Sequence, residues 1–189
     1  MRRSSLLNER KQLLRNQLRE RLSRLSPEER ARRSKMILEK LSNHPRFLEA
    51  CSVLIYVAFQ AEVETRPLLG EARRRGKRVF LPRIDSKRGL IQAIEVEGGE
   101  KLEPNEYGVL EPPFDFTRLE EPGNLDLIVV PGLGFDRRGG RLGRGKGYFD
   151  RFLREAKQAY KIGLAFDCQM VEKIPRERSD IVLNEVLIG

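Results

Sequence analysis

The chain has 189 residues and a formal net charge of +9, and 39% of its residues are hydrophobic and 34% are charged. This composition is typical of one globular domain and excludes a disordered tail or a fibrous repeat. The longest apolar run, residues 53–59, is far shorter than the roughly 18 residues of a transmembrane helix, which excludes a membrane span.

The excess positive charge is concentrated at the N-terminus. Residues 1–46 hold 14 Lys/Arg and five Asp/Glu, an excess of nine that equals the net charge of the whole chain. Clustered cations suit a nucleic acid, a membrane surface or a polyanionic small molecule, and the plainer alternative is a solvated helix face. Residues 1–46 contain no Phe, Tyr or Trp on which bases could stack, which disfavours nucleic acid. We expect neither a nucleic-acid nor a membrane partner.

The cysteine content indicates a reducing compartment. Cys51 and Cys168 are too few for a disulfide framework, and no apolar segment near the N-terminus resembles a secretion signal. We therefore expect a cytoplasmic protein.

The N-terminal region is predicted to be helical. Lys11 and Arg15 share one face of the first helix, and a second helix begins at Ser26, an N-cap with Glu29 completing a capping box, and runs to about Leu41. Four leucines at intervals of four, four and three residues form the apolar stripe of the first helix: Leu14, Leu18, Leu22 and Leu25.

Strand and helix patterns alternate along the rest of the chain. A Gly-rich loop covers 132–147, and 98–123 is the least regular stretch. The alternation predicts one α/β domain over 1–189, a Rossmann-like three-layer fold with a mainly parallel sheet flanked by helices, an N-terminal helical segment at 1–46, and ligands at the carboxyl ends of the strands. Strands are expected over 51–59, 77–84, 90–96, 125–130 and 161–166, and helices over 65–76 and 149–156.

Residues 131–150, the Gly-rich segment, carry the strongest chemical signal. They contain seven glycines and five cations between a predicted strand and a predicted helix. Glycines let backbone N–H groups converge on an anion, and the helix N-terminus and the cations add positive charge, so the combination predicts a phosphate site. Asp150 adds a hard oxygen ligand that suits Mg²⁺ beside phosphate.

Two better-known phosphate motifs are excluded. Gly140-x4-Gly145-Lys146 begins like a Walker A motif, but Gly147 stands where the Mg²⁺-binding Ser or Thr should be. The glycines at 143, 145 and 147 form G-x-G-x-G rather than the dinucleotide fingerprint, and they come late in the chain. The density of glycine and cations together argues against turn glycines and solubilising arginines alone.

The segment PGLGFDRRGGRLGRGKGYFDRFL closely resembles the signature of the 5-formyltetrahydrofolate cyclo-ligases, also called methenyltetrahydrofolate synthetases. The resemblance extends along nearly the whole chain through LIYVAFQAEVET, NEYGVLEP and LAFDCQMVEKIP, in the family's order. It implies ATP- and Mg²⁺-dependent conversion of 5-formyltetrahydrofolate to 5,10-methenyltetrahydrofolate, with release of ADP and phosphate. In that reaction the formyl oxygen attacks the γ-phosphate to give a phosphorylated imidate, which N10 of the folate then attacks.

The resemblance also implies the site residues. Arg144 and Lys146 are expected to be catalytic, and Asp150 and Asp180 to bind the metal. The expected ATP-binding residues are Lys11, Arg15, Arg141, Gly143, Gly145, Lys146, Gly147 and Phe149, the last at a position where the family usually has Tyr. The expected folate-binding residues are Val57, Glu62, Tyr107, Arg144 and Tyr148.

The residues alone leave some alternatives open. Val57 suits a plain core position equally well, and Asp180 could be a surface turn residue. A different ATP-dependent phosphotransferase would share Lys146 and Asp150 without requiring Glu62 or Tyr107. A basic nucleic-acid-binding module is the remaining alternative, and we expect a monomer or a weak homodimer.

Overall fold

The structure, a computed structural model, describes residues 2–177 and 179–189. Met1 and Arg178 belong to the predicted domain 1–189 but lie outside the described residues. None of the described helices is long and apolar enough to cross a membrane. The described helices are α1 (Arg2–Ser23), α2 (Pro27–Ser42), α3 (Pro45–Glu49), α4 (Arg66–Arg74) and α5 (Tyr148–Glu155).

A seven-stranded sheet occupies the centre of the molecule, in the order β12-β10-β7-β1-β2-β3-β6. Neighbours from β12 to β2 pair in parallel, whereas β3 and β6 add an antiparallel edge. The predicted mainly parallel sheet is confirmed. The strands are β1 (Ser52–Leu54), β2 (Arg78–Asp85), β3 (Leu90–Glu95), β4 (Glu103–Pro104), β5 (Leu110–Glu111), β6 (Leu119–Glu120), β7 (Leu127–Val130), β8 (Gly134–Asp136), β9 (Arg141–Leu142), β10 (Tyr160–Ala165), β11 (Met170–Val171) and β12 (Glu185–Ile188).

Helices cover both faces of this sheet. Successive side chains of a strand point to opposite faces. Val53 therefore packs in one core cluster, with side chains of α2, α3 and α4, whereas Leu54 packs in a second cluster with Phe152 and Leu153 of α5. The three-layer prediction is confirmed, and the unbroken apolar runs of the central strands follow from burial on both faces.

The N-terminal helices form largely as their sequence predicts. Leu18 and Leu22 of the leucine stripe are buried, and the Oγ of Ser26 accepts a hydrogen bond from the backbone N–H of Glu29 at 3.1 Å. The predicted capping box is wrong in its second half, because the Glu29 carboxylate pairs with Arg32 and Arg33 instead. The arginine side chains are long enough to bring a cation to the Glu29 carboxylate from within one helical turn.

The first predicted strand is shorter than expected. β1 ends at Leu54 rather than at residue 59, although Ile55, Tyr56 and Val57 remain buried in the core. Thr65 donates its hydroxyl to the Tyr56 carbonyl oxygen at 2.5 Å, and the Tyr56 hydroxyl donates to the Val63 carbonyl oxygen at 3.2 Å. These bonds close the chain into a loop, so the apolar run reflects packing and not strand pairing throughout.

The predicted Gly-rich loop 132–147 is also wrong in part, because it contains an antiparallel pair, β8 and β9, which joins β11 in a small sheet. The buried carboxylate of Asp136 accepts hydrogen bonds from the backbone N–H groups of Arg138, Gly140 and Ile174 at 2.8–2.9 Å. Burial opposes ionisation, but these bonds outweigh it and lower the pKa of Asp136. The turn between β8 and β9 is therefore held by a buried charge that satisfies three backbone donors.

Helix α1 docks against this small sheet. Leu18 packs with Leu142 and Ile174, and its methyl group lies so close to Gly134 that a Cβ at position 134 would overlap it. Glycine is needed there for close approach. Docking carries the cations of α1 to the loops at the carboxyl ends of the central strands.

Candidate active site

A cleft of about 590 Å³ opens at the carboxyl ends of β1, β2 and β7, where ligands of parallel α/β sheets usually bind. Its walls come from α1, the segment after β1, the turn before β5, the Gly-rich segment and the chain before β12. The structure brings every predicted site residue to this one cleft: Lys11, Arg15, Val57, Glu62, Tyr107, Arg141, Gly143, Arg144, Gly145, Lys146, Gly147, Tyr148, Phe149, Asp150 and Asp180.

One end of the cleft pairs cations of α1 with distant partners. Lys11 Nζ lies 2.6 Å from Oδ2 of Asp180, and both side chains are largely buried. Arg15 Nε donates to the Gly143 carbonyl oxygen at 3.0 Å. Burial and the neighbouring charge of Arg19 lower the pKa of the Arg15 guanidinium. At this end Lys11 and Arg15 bring two cations into the cleft, which suits a polyanionic ligand.

Arg141 forms the floor of the same end. Its side chain is 4% exposed, and its Nη2 lies 2.9 Å from Oδ2 of Asp150. A further Nη donates to the Pro131 carbonyl oxygen at 3.3 Å, and the guanidinium lies over the Phe149 ring. Its buried Nε has no hydrogen-bond partner among the described residues. Both predicted metal-binding carboxylates, Asp150 and Asp180, thus pair with predicted ATP-binding cations.

The backbone between these cations requires glycine at two positions. Gly145 has φ +109° and Gly147, the N-cap of α5, has φ +70°. Both values lie in the left-handed region, which a side chain disfavours. Tyr148, Phe149 and Asp150, the first residues of α5, line the cleft next to Lys146, and the first N–H groups of a helix have no acceptor within the helix.

The other end of the cleft has a largely buried carboxylate, that of Glu62. Val57 is buried, so the core reading and the folate reading of this residue both remain consistent with its position. Glu62 Oε2 accepts from the Phe59 N–H at 3.0 Å, and its Oε1 lies 3.1 Å from Nη2 of Arg144. Burial raises the pKa of Glu62, and the Arg144 charge opposes that rise. This end offers a shielded hydrogen-bond acceptor beside an apolar wall.

Tyr107 and Tyr148 close the mouth of the cleft. The hydroxyl contact between them is the main cause that raises the pKa of Tyr107. Lys146 Nζ lies 5.7 Å from the Tyr107 ring centroid. Asn105 holds the turn that carries Tyr107, because its Oδ1 accepts from the N–H groups of Tyr107 and Val109 at 2.9 and 3.1 Å. The turn before β5 and the Gly-rich segment therefore meet at this point.

Among the residues of the cleft region that sequence reasoning did not assign, three make contacts that shape the site: Phe59, Gln60 and Glu111. Phe59 and Gln60 contact Arg144, and only the backbone conformation of Gln60, with φ +58°, marks it as unusual. A left-handed residue other than glycine costs about 1–2 kcal/mol. Glu111 is buried and accepts from the N–H of Ile84 at 3.0 Å. The stretch NEYGVLEP contains Glu111, and that was its one signal in the sequence.

Comparison with known proteins agrees with this architecture. The model of the 5-formyltetrahydrofolate cyclo-ligase family matches residues 7–189. The chain is 35% identical to the 5-formyltetrahydrofolate cyclo-ligase of Mus musculus, over 96% of this chain and 94% of that protein. It is 33% identical to the Escherichia coli K12 enzyme of the same name, over 90% of this chain and 95% of that protein.

Solved structures show the same likeness. The NMR structure of Aquifex aeolicus 5,10-methenyltetrahydrofolate synthetase matches with a TM-score of 0.82 and 34% identity, covering 94% of this chain and 89% of that chain. A 5,10-methenyltetrahydrofolate synthetase from Mycoplasma pneumoniae matches with a TM-score of 0.73, covering 94% of this chain and 97% of that chain; at 24% identity it supports the fold alone. On the full-length match in sequence and the shared fold, this chain belongs to the 5-formyltetrahydrofolate cyclo-ligase family.

Proposed function

We propose that this chain converts 5-formyltetrahydrofolate to 5,10-methenyltetrahydrofolate in the cleft, using MgATP and releasing ADP and phosphate. The observation that carries the proposal is the two-ended cleft: cations of α1 and β9 and the first turn of α5 lie at one end, and the largely buried carboxylate of Glu62 lies at the other. Arg144, on the Gly-rich segment, contacts the carboxylate end through Glu62. A reaction between a triphosphate and a pterin needs both ends in one cavity.

The cationic end is suited to the triphosphate. Lys11, Arg15 and Arg141 come from α1 and β9, and each can exchange its present protein partner for a phosphate oxygen. Charge-assisted hydrogen bonds of this kind are among the stronger polar contacts in proteins. The unpartnered Nε of Arg141 gains an acceptor if a phosphate oxygen lies beside it.

The carboxylates fit a metal that arrives with the nucleotide. Among the described residues there is no cluster of three or more His, Cys, Asp or Glu that could hold a metal by itself. Mg²⁺ commonly takes one or two carboxylates and completes its shell with phosphate oxygens and water, so Asp150 and Asp180 suffice for that role. When bound, Mg²⁺ would neutralise phosphate charge. Release of Lys11 and Arg141 to the phosphates would free both carboxylates at the same time.

The carboxylate end is suited to the pterin. Glu62 can accept hydrogen bonds from the adjacent amide and amine N–H groups of the ring, which present two donors side by side. Val57 supplies an apolar wall, and Tyr107 at the cleft mouth offers a ring for stacking. Without these residues the same cationic end would serve any phosphotransferase.

The reaction then follows from placing both substrates together. The formyl oxygen attacks the γ-phosphorus of ATP while the bond from that phosphorus to ADP breaks. N10 next attacks the formyl carbon and loses its proton, and the C–O bond breaks to release phosphate. Arg144 and Lys146 lie on the segment between the two ends and would stabilise the charge on the transferring phosphoryl group.

Other features support a proposal for the setting of this activity. Both cysteines are free, which is consistent with a cytoplasmic protein. The cleft takes all its predicted residues from one chain, so a monomer or a weak homodimer is sufficient for the activity. We retain the expectation that neither nucleic acid nor a membrane is a partner.

The decisive experiment is an absorbance assay of the purified chain with 5-formyltetrahydrofolate and MgATP, because the conjugated methenyl product absorbs in the near ultraviolet and the substrate does not. The band should grow only when ATP and Mg²⁺ are both present. Phosphate release without the band would indicate a different phosphotransferase. Folded protein that neither forms the band nor binds ATP would overturn the proposal.

A further inference from the structure

Arg144 is held at the carboxylate end of the cleft, whereas a role in phosphoryl transfer requires it to reach the triphosphate at the cationic end. In the ligand-free structure its Nη1 donates to Oε1 of Gln60 at 2.9 Å, and its Nη2 donates to the Phe59 carbonyl oxygen at 3.3 Å and to Oε1 of Glu62 at 3.1 Å. The guanidinium carbon also lies 4.7 Å from the Phe59 ring centroid. The segment 59–62 therefore holds this cation from several sides.

Gln60 contacts Arg144 from a backbone conformation that is unfavourable for glutamine. Its φ of +58° is the only positive φ of a non-glycine residue among the described residues. Asn, Asp and Gly adopt this conformation more readily than Gln. The turn alone would favour one of those residues, whereas the longer Gln side chain reaches Arg144 with its amide oxygen.

Arg144 also occupies part of the proposed pterin acceptor, the carboxylate of Glu62. Glu62 uses Oε2 for the Phe59 N–H and Oε1 for Arg144. A pterin that donates two hydrogen bonds to this carboxylate competes with Arg144 for Oε1. Bound folate would remove one hydrogen-bond partner of Arg144, the Glu62 carboxylate, whereas Gln60 remains a partner. The two therefore have opposite effects on the position of Arg144.

We infer that Gln60 is a positioning residue that holds Arg144 against Glu62 until folate displaces the guanidinium, so that Arg144 becomes available to the triphosphate only when folate is bound. This inference rests on the proposed function. It has a chemical consequence for ATP bound without folate. Water can attack the γ-phosphorus and break its bond to ADP, but without Arg144 that hydrolysis lacks one of its stabilising charges.

Two substitutions at position 60 have opposite expected effects. Gln60→Gly removes the amide and suits the positive φ, so it should weaken the hold on Arg144. Gln60→Glu keeps the length of the side chain and adds a negative charge, so it should strengthen the hold. We expect Gln60→Gly to raise folate-independent phosphate release from MgATP by about threefold to tenfold, the effect of one hydrogen bond. We expect Gln60→Glu to lower that release and to weaken folate binding by a similar factor.

The measurements are phosphate release with MgATP alone, and the dissociation constant of 5-formyltetrahydrofolate by fluorescence or calorimetry. Gln158→Gly, at an exposed glutamine outside the cleft, is the matched control and should change neither quantity. If Gln60 served folding alone, both variants would change phosphate release and folate affinity in the same direction. Equal directions, or no change in either variant, would refute the inference.

The wild-type chain separates this inference from the proposed function. Methenyl formation by the wild type, together with Gln60 variants that do not diverge, leaves the proposed function intact and rejects the role of Gln60. Absence of methenyl formation in the wild type rejects the proposed function, and the inference with it.

Discussion

Removal of the Arg141 side chain tests whether the cationic end of the cleft is built around a buried ion pair. Arg141 is 4% exposed and Asp150 is 24% exposed, and their charged atoms are 2.9 Å apart. In Arg141→Ala the Asp150 carboxylate keeps its charge but loses its cation. The ring of Phe149 also loses the guanidinium that packs on it.

The size of the effect follows from the burial of the two partners. Breaking a fully buried pair by removing one partner costs about 3–5 kcal/mol. Because Asp150 is partly solvated, we expect the lower limit, about 3 kcal/mol. For a chain of this length the corresponding fall in Tm is about 6–12 °C.

The assay is thermal or urea unfolding of the full chain, with Arg137→Ala as a matched control. Arg137 is exposed and lies in the same Gly-rich segment, so its removal should change stability by less than about 0.5 kcal/mol. In the double variant Arg141→Ala/Asp150→Asn the unpaired charge is absent, and part of the lost stability should return. An Arg141→Ala protein as stable as the Arg137→Ala control would refute the ion-pair reasoning.

Three further outcomes are expected. Lys146→Ala should lower turnover by about 100-fold or more, as loss of a charge-stabilising group does, without changing the unfolding transition. The control is Lys157→Ala, at an exposed lysine outside the cleft. An unchanged turnover rate in Lys146→Ala would exclude Lys146 from the mechanism. Glu62→Gln should weaken folate binding more than ATP binding in calorimetry, with Glu64→Gln as the neighbouring control, and equal losses would remove the pterin role. The pKa of Asp136 is lowered from its ordinary value of 3.8. Its ionised carboxylate therefore stabilises the fold fully above about pH 3.8, and this stabilisation is lost as the pH falls below that value. Asp136→Asn should therefore be less stable than wild type at pH 7, and urea midpoints should converge below that value; a constant difference across the range would contradict the assigned cause.

Local pattern predicted most of the central strands and their helices to within two residues at each end, except for the end of β1, but it did not predict α3, β6 or β12. The leucine stripe of α1 and the cap at Ser26 depend on residues within one or two turns, so both could be predicted. The end of β1 could not, because Ile55 and Val57 are as apolar as strand residues but are buried by packing. The hairpin in the Gly-rich segment was missed because its turn is held by Asp136 and a distant N–H, that of Ile174.

The candidate site shows a similar division. The residues of the Gly-rich segment are contiguous, so their composition alone predicted a phosphate site, and the resemblance added the folate residues. The hold on Arg144 could not be predicted, because Gln60 is more than 80 residues away in the chain and its stretch, LIYVAFQAEVET, does not indicate this contact. Neither could the left-handed backbone at Gln60 be predicted, since tertiary contacts override its local preference.

The amino-acid sequence by itself determined the alternation of strands and helices and the excess of cations at the N-terminus, and it was enough to predict a phosphate site at residues 131–150. These properties follow from composition and short-range spacing. Only the tertiary structure decided how the charges pair. Lys11 and Asp180 are separated by 169 positions, and they meet because Leu18 docks α1 on the small sheet beside Gly134. Packing of apolar side chains thus brings together two charges that the sequence keeps far apart.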